Sequence, residues 1–149
     1  MKKVTKKSLV SIFACFLACI MFAMPVYAAS SSFSKTTVKL NAINGSSSVK
    51  STLSSGSVLG SKRSINSVQL FCNVSSNSDP YTIYVQSPSG TVESLSGPSR
   101  SSTVSVGGFL GEDPKGTWTV WIVNSGISYK GNVYPASTAT ITLKVSYTY

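Results

Sequence analysis

The final strand-like run of the chain constrains its fold more than any other feature. Ala139, Ile141, Leu143, Val145 and Tyr147 alternate without interruption with Thr138, Thr140, Thr142, Lys144 and Ser146. A period of two places every apolar side chain on one face of an extended strand. Such a face has to be buried against a second layer, so this one run already implies packed sheets. Shorter runs repeat the pattern at Val68, Leu70, Cys72 and Val74, at Tyr81, Ile83 and Val85, and at Val104 and Val106. Thr117 to Val123 is apolar on both faces after Trp118, as a central strand would be. Turn chemistry separates the runs at Asp79-Pro80, Pro88-Ser89-Gly90, Gly97-Pro98, Gly107-Gly108, Asp113-Pro114-Lys115-Gly116 and Asn124-Ser125-Gly126. No stretch beyond residue 28 shows helical spacing with caps. The expected fold is all-β, a jelly-roll-like antiparallel β-sandwich.

The first 28 residues read differently. Lys2, Lys3, Lys6 and Lys7 precede an apolar run from Leu9 to Met24, Pro25 breaks it, and Val26-Tyr27-Ala28 has the small-residue pattern of a cleavage site. This is the pattern of a signal peptide over 1–28, and the apolar run is shorter than the roughly 20 residues a spanning helix needs. Phe16-Leu17-Ala18-Cys19 offers lipidation as an alternative, but the apolar run continues past Cys19. A secreted, extracellular chain with no transmembrane segment after cleavage follows. Cys15 and Cys19 lie in this leader, which leaves Cys72 alone and rules out an intrachain disulfide in the mature chain. The hydrophobic core must then hold the domain, and the Lys-rich leader without disulfides points to a Gram-positive bacterial exporter. Residues 29–64 are rich in Ser and Gly and are compatible with a linker or with short strands joined by turns such as Asn44-Gly45.

Catalytic chemistry is scarce. The chain has no histidine, which removes Ser-His-Asp and Cys-His machinery and the usual zinc ligand sets. Its four acidic residues are Asp79, Glu93, Glu112 and Asp113. Glu112 and Asp113 are neighbours in a turn, where their side chains diverge, whereas a glycosidase needs two carboxylates across a cleft. No catalytic residue is nominated and the expectation is a non-enzyme. No organic cofactor is implied. Calcium is the one ion with candidates, the loop carboxylates Asp79, Glu112 and Asp113; their alternative role is to bond backbone in turns. Cys72 reads either as a buried small hydrophobe or as a reactive thiol.

Partners are read from charge and aromatics. The chain carries 13 basic against 4 acidic residues, and loss of the leader lysines leaves about +5. An anionic cell-wall polymer suits that balance, although it also serves solubility. Lys35, Lys39, Lys50, Lys62, Arg63, Arg100, Lys115, Lys130 and Lys144 are scattered singly, which argues against nucleic acid. Trp121 lies on the strand face opposite Trp118. With Trp118 in the core, Trp121 and Tyr84 become candidate ligand-binding residues for a sugar ring or a partner protein, unless residues 30–64 cover them as a second layer.

Several segments together resemble a known family. They are Ser67-Val68-Gln69-Leu70, Ser78-Asp79-Pro80-Tyr81-Thr82-Ile83-Tyr84-Val85, Ser87-Pro88-Ser89-Gly90-Thr91, Gly108-Phe109 and Glu112-Asp113-Pro114-Lys115-Gly116-Thr117-Trp118-Thr119-Val120. In this order they resemble the P domain (Homo B domain) of subtilisin-like proprotein convertases, over residues 65–149. The resemblance implies a jelly-roll sandwich and, since P domains accompany a protease, an exported or cell-surface protein as partner. Phe109 reaches Gly116 in seven residues here, a shorter path than in typical P domains. The rival expectations are a wall or glycan binder and a secreted antibacterial effector.

Overall fold

The computed structural model describes residues 28–126 and 133–149. The leader expected over 1–28 lies outside them apart from Ala28, as do Tyr129 and Lys130. The described residues form nine strands: β1 (Ser30–Thr36), β2 (Leu40–Ile43), β3 (Ser51–Ser54), β4 (Ser64–Val74), β5 (Tyr81–Gln86), β6 (Val92–Ser96), β7 (Ser102–Val106), β8 (Thr117–Asn124) and β9 (Ala136–Thr148). Among the described residues no helix is long and apolar enough to cross a membrane.

The strands make two antiparallel sheets. The first has the order β1-β9-β4-β7, with β2 pairing further along β9; the second has the order β3-β8-β5-β6. The pairs nest inside one another. The β5–β6 hairpin is innermost, β4 pairs with β7 around it, then β3 with β8, and β2 with β9 outermost. Nested pairing of this kind, wrapped into two sheets, is a jelly roll. The chain is an all-β antiparallel sandwich, as its alternation predicts.

The period-two pattern explains the core. Ala139, Ile141, Leu143, Val145 and Tyr147 of β9 are buried, and they meet Val68, Leu70 and Cys72 of β4 on the same inner face. Tyr81, Ile83 and Val85 of β5 join Trp118, Val120 and Ile122 of β8 on the facing sheet. Trp118 is fully buried. Its Nε1 donates to the Pro114 carbonyl at 3.1 Å, and its ring meets Phe109 edge to face at 5.2 Å. Thus the largest side chain in the core satisfies its one polar group within the turn that precedes its strand.

The Ser/Gly-rich segment forms short strands that belong to the sandwich. β1 and β2 cover the edge of β9, and β3 covers the edge of β8, so residues 65–149 alone would leave both central strands half unpaired. Asn44 and Gly45 take positive φ values of 47° and 72°, the geometry expected of an Asn-Gly turn. This turn does not close a hairpin. It carries the chain from the first sheet to the second, where Ser47 bridges to Val123. Asn124 anchors the crossing from below: its Oδ1 accepts from Gly45 N and Gly126 N, and its Nδ2 donates to Ser137 Oγ at 2.7 Å. Between β1 and β2 the edge is broken at Thr37. Its N–H donates to Ile141 O and its hydroxyl accepts from Ile141 N at 3.0 Å, so a side chain takes over where the ladder lapses.

Candidate functional site

The outer face of the second sheet carries an aromatic pair that points away from the core. Tyr84 on β5 pairs directly with Trp121 on β8, and both side chains stand on the side opposite Ile83, Val85, Val120 and Ile122. Their rings stack at 5.2 Å between centroids, with planes 8° apart. Lys50 immediately precedes β3, one step beyond the Ser51–Val120 pair, and its Nζ lies 4.6 Å from the centroid of the Trp121 ring. The result is a ladder of Lys50, Trp121 and Tyr84 across three neighbouring strands, with Ser94 of β6 opposite Tyr84 on the far side. Such a stack contributes about 0.5–1.5 kcal/mol beyond its area, and an exposed cation on a ring about 0.5–1 kcal/mol.

Both rings are half-buried, and so are Thr82, Gln86, Thr119 and Val123 around them. No described element packs over this face; β1, β2 and β3 extend sheet edges and do not form the covering layer that the Ser-rich segment left open. The strand order puts Lys50 on one side of Trp121 and Tyr84 on the other. A sugar ring stacks on an exposed aromatic face. Here Tyr84 stacks on Trp121 and the Lys50 ammonium lies over the same ring, so the indole is engaged within the chain, with Thr82, Thr119 and Gln86 half-buried around the pair.

The calcium candidates are not brought together. Asp79 sits where β9 starts: its Oδ2 accepts from Ala136 N at 2.8 Å, and its carbonyl accepts from Ser137 Oγ. Glu112 lies at the other end, its carbonyl bonded to Ile65 N, and Ile65 pairs with Tyr147. Ala136 and Tyr147 are eleven residues apart on one strand, which separates the two sites by about 35 Å. Asp113 is already committed. Arg63 grips it with two bonds of 2.8 and 2.9 Å, and its Oδ1 also accepts from Lys115 N. The Arg63 guanidinium holds the Asp113 carboxyl down at about 2. Glu112 accepts from Ser89, which is linked to Ser87 at 2.8 Å. Partial burial pushes the Glu112 carboxyl up, and the hydroxyls of Ser87, Ser89 and Thr91 outweigh it, so its pKa is lowered on balance. Among the described residues no group of three or more His, Cys, Asp and Glu could hold a metal ion.

These bonds give the Ser87–Thr91 turn and the Glu112–Gly116 loop a shared purpose. Gly116, at φ 135°, lies so close to Pro88 that an added Cβ would come within 2.7 Å of the proline Cβ. Two of the segments that carry the family resemblance are thus packed against each other, and their polar residues staple loops together. Cys72 is fully buried, its Sγ directed at Leu70 O at 3.9 Å, and burial pushes its thiol up to about 11. That environment suits an inert thiol.

A cavity of about 340 Å³ opens between Ser78–Tyr81 and Gly97–Ser99. Asp79 is the one carboxylate among the residues that line it, and Tyr81 is their one other titratable side chain. The Tyr81 hydroxyl is buried and has no hydrogen-bond partner among the described residues.

No protein-family model matches this sequence, and no curated protein does. A solved structure, the crystal structure of FlhE, is similar in fold, with a TM-score of 0.53 at 16% sequence identity over 81% of this chain and 97% of that chain. At that identity the likeness shows a shared architecture alone.

Proposed function

We propose that this chain is an exported, non-catalytic protein-interaction module whose docking face is the outer surface of the second sheet, centred on Trp121 and Tyr84. The observation that supports it is the Lys50–Trp121–Tyr84 ladder, its two rings half-buried on a face that no described element covers. A central aromatic pair rimmed by Thr82, Thr119, Gln86 and Thr52 has the composition of an interface: rigid anchors in the middle, adaptable polar groups around them. The engagement of the Trp121 ring by Tyr84 and Lys50 favours another protein over a glycan, which would need an open ring face or a groove. The resemblance to P domains supports the same reading, since those domains work against another polypeptide.

Charge supports it by its arrangement. Lys144 stands on the outer face of the first sheet, Arg100 in the loop after β6, Lys39 in the break between β1 and β2, and Lys62 and Lys115 near the Arg63–Asp113 pair. Among the described residues Lys50 alone adjoins the aromatic pair. An anionic wall polymer would be met better by converging lysines. Capture experiments with the mature protein at low and high salt separate the two readings. Apolar docking holds at both salts and is lost on Trp121→Ala, whereas charge-driven wall binding disappears at high salt and ignores that substitution.

A further inference from the structure

An edge strand offers a row of backbone donors and acceptors to any other strand, and sandwiches blunt their edges with charges, breaks or short strands. Here three edges carry such a device. The β1–β2 edge is broken at Thr37 and bears Lys35 opposite the buried Leu143, so its charge lies on the core-facing side of an edge strand. β3 is only four residues long and follows Lys50. β6 carries Glu93 opposite the buried Val85, again a charge on the core-facing side. The fourth edge is β7, Ser102-Thr103-Val104-Ser105-Val106. It has no charge, no proline and an unbroken register with β4, and three of its five residues are β-branched.

We propose that β7 pairs with β7 of a second copy, antiparallel across a two-fold axis, joining the two first sheets into one. Charge complementarity selects this occupant. With Val104 on the axis, Thr103 faces Ser105 of the second copy, so the side chains meeting on the outer face are small and uncharged. Antiparallel pairing also brings the end of β7 that Arg100 precedes by two residues beside the end that Gly108 follows by two residues in the second copy. Within one chain the Glu93 carboxylate lies directly against Gly108, where it would occupy the space of an added Cβ. The cationic end of one β7 is thereby set beside the Glu93 carboxylate of the other copy, and the two-fold axis makes this opposition twice. Among the described residues neither Arg100 nor Glu93 takes part in an ion pair within the chain. This dimer uses an edge of the first sheet and leaves the outer face of the second free.

The test is sedimentation equilibrium of the mature protein across micromolar to submillimolar concentrations. The wild type is expected to show a reversible monomer–dimer equilibrium. Thr103 and Ser105 are exposed on the outer face, so a Thr103→Lys/Ser105→Lys variant folds as before, which circular dichroism checks, yet sets lysine against lysine at every position. It is expected to raise the dimer dissociation constant by about 100-fold or more. A Thr103→Glu/Ser105→Glu variant is expected to be equally monomeric, and mixing the two variants to restore a heterodimer. A wild type that stays monomeric throughout overturns the proposal. So does a dimer that survives the lysine pair, or one abolished by Trp121→Ala, which would place the contact on the other sheet.

Discussion

Tyr84 and Trp121 occupy directly paired positions on β5 and β8, and their rings stack with planes 8° apart on the face turned away from the core. The relationship follows from two elementary constraints. Trp118 and Trp121 are three residues apart on one strand, so a period of two sends them to opposite faces. Trp118 takes the core, where its indole N–H finds the Pro114 carbonyl, and Trp121 is left outside with an aromatic cross-strand neighbour. Trp121 therefore stands half-buried at the centre of the proposed docking face, stacked on Tyr84 and capped by Lys50.

Trp118→Ala is expected to destabilise the domain by about 3–5 kcal/mol, since it empties a fully buried site and removes the partner of Phe109. Trp121→Ala removes one stacked pair and is expected to cost about 1–2 kcal/mol. Chemical denaturation of the two variants side by side measures the difference, and equal losses would mean that the two tryptophans are equivalently buried.

Cys72 is expected to resist thiol reagents in the folded protein at neutral pH. Its thiol titrates at about 11 because burial disfavours the thiolate. Modification followed by mass spectrometry should show label only after denaturant is added; rapid labelling without denaturant would contradict the packing of β4 against β5.

Acid should unfasten the loop staple in a defined window. The Asp113 carboxyl is depressed from 3.8 to about 2 by Arg63, so its contribution to stability is fully present above pH 3.8 and is lost as pH falls to about 2. Asp113 is about half exposed, so solvent screens much of this contribution and its size is modest. Arg63→Ala should flatten the stability profile in that window, measured by thermal unfolding at stepped pH.

Calcium is expected to leave thermal stability unchanged, because Asp79 and Glu112 sit at opposite ends of β9 and Asp113 is held by Arg63. Unfolding with excess calcium and with a chelator compares the two states. A calcium-dependent rise in Tm would call for a site not built from these three carboxylates together.

The alternation over residues 138–147 made the sandwich legible because burial on one face writes itself into every second residue. The Asn44-Gly45 turn was legible from its backbone requirement, and Trp121 and Tyr84 from parity and aromatic character. What local pattern could not show was register. Whether residues 30–54 pair with β9 and β8 depends on contacts up to more than a hundred residues apart, as with Thr36 and Thr142. For the same reason Lys50 gave no sign that it caps Trp121; only the Ser51–Val120 pairing puts it there. Asp79 and Glu112 looked equivalent as loop carboxylates, and the length of β9 alone separates them. Asn124, the buried hub between Gly45, Gly126 and Ser137, read as one more turn residue for want of any visible partner.

The proposed docking face is tested most directly by site-specific photo-cross-linking. A photoreactive phenylalanine analogue is placed at Thr119, beside the aromatic pair, and at Thr142 on the outer face of the first sheet as a control, and each protein is presented to the surface of the cells that make it. One discrete protein adduct is expected from position 119 at both low and high salt, absent from position 142 and lost when Trp121→Ala is added. Equal capture from both positions, or capture of wall polymer at low salt only, would contradict it.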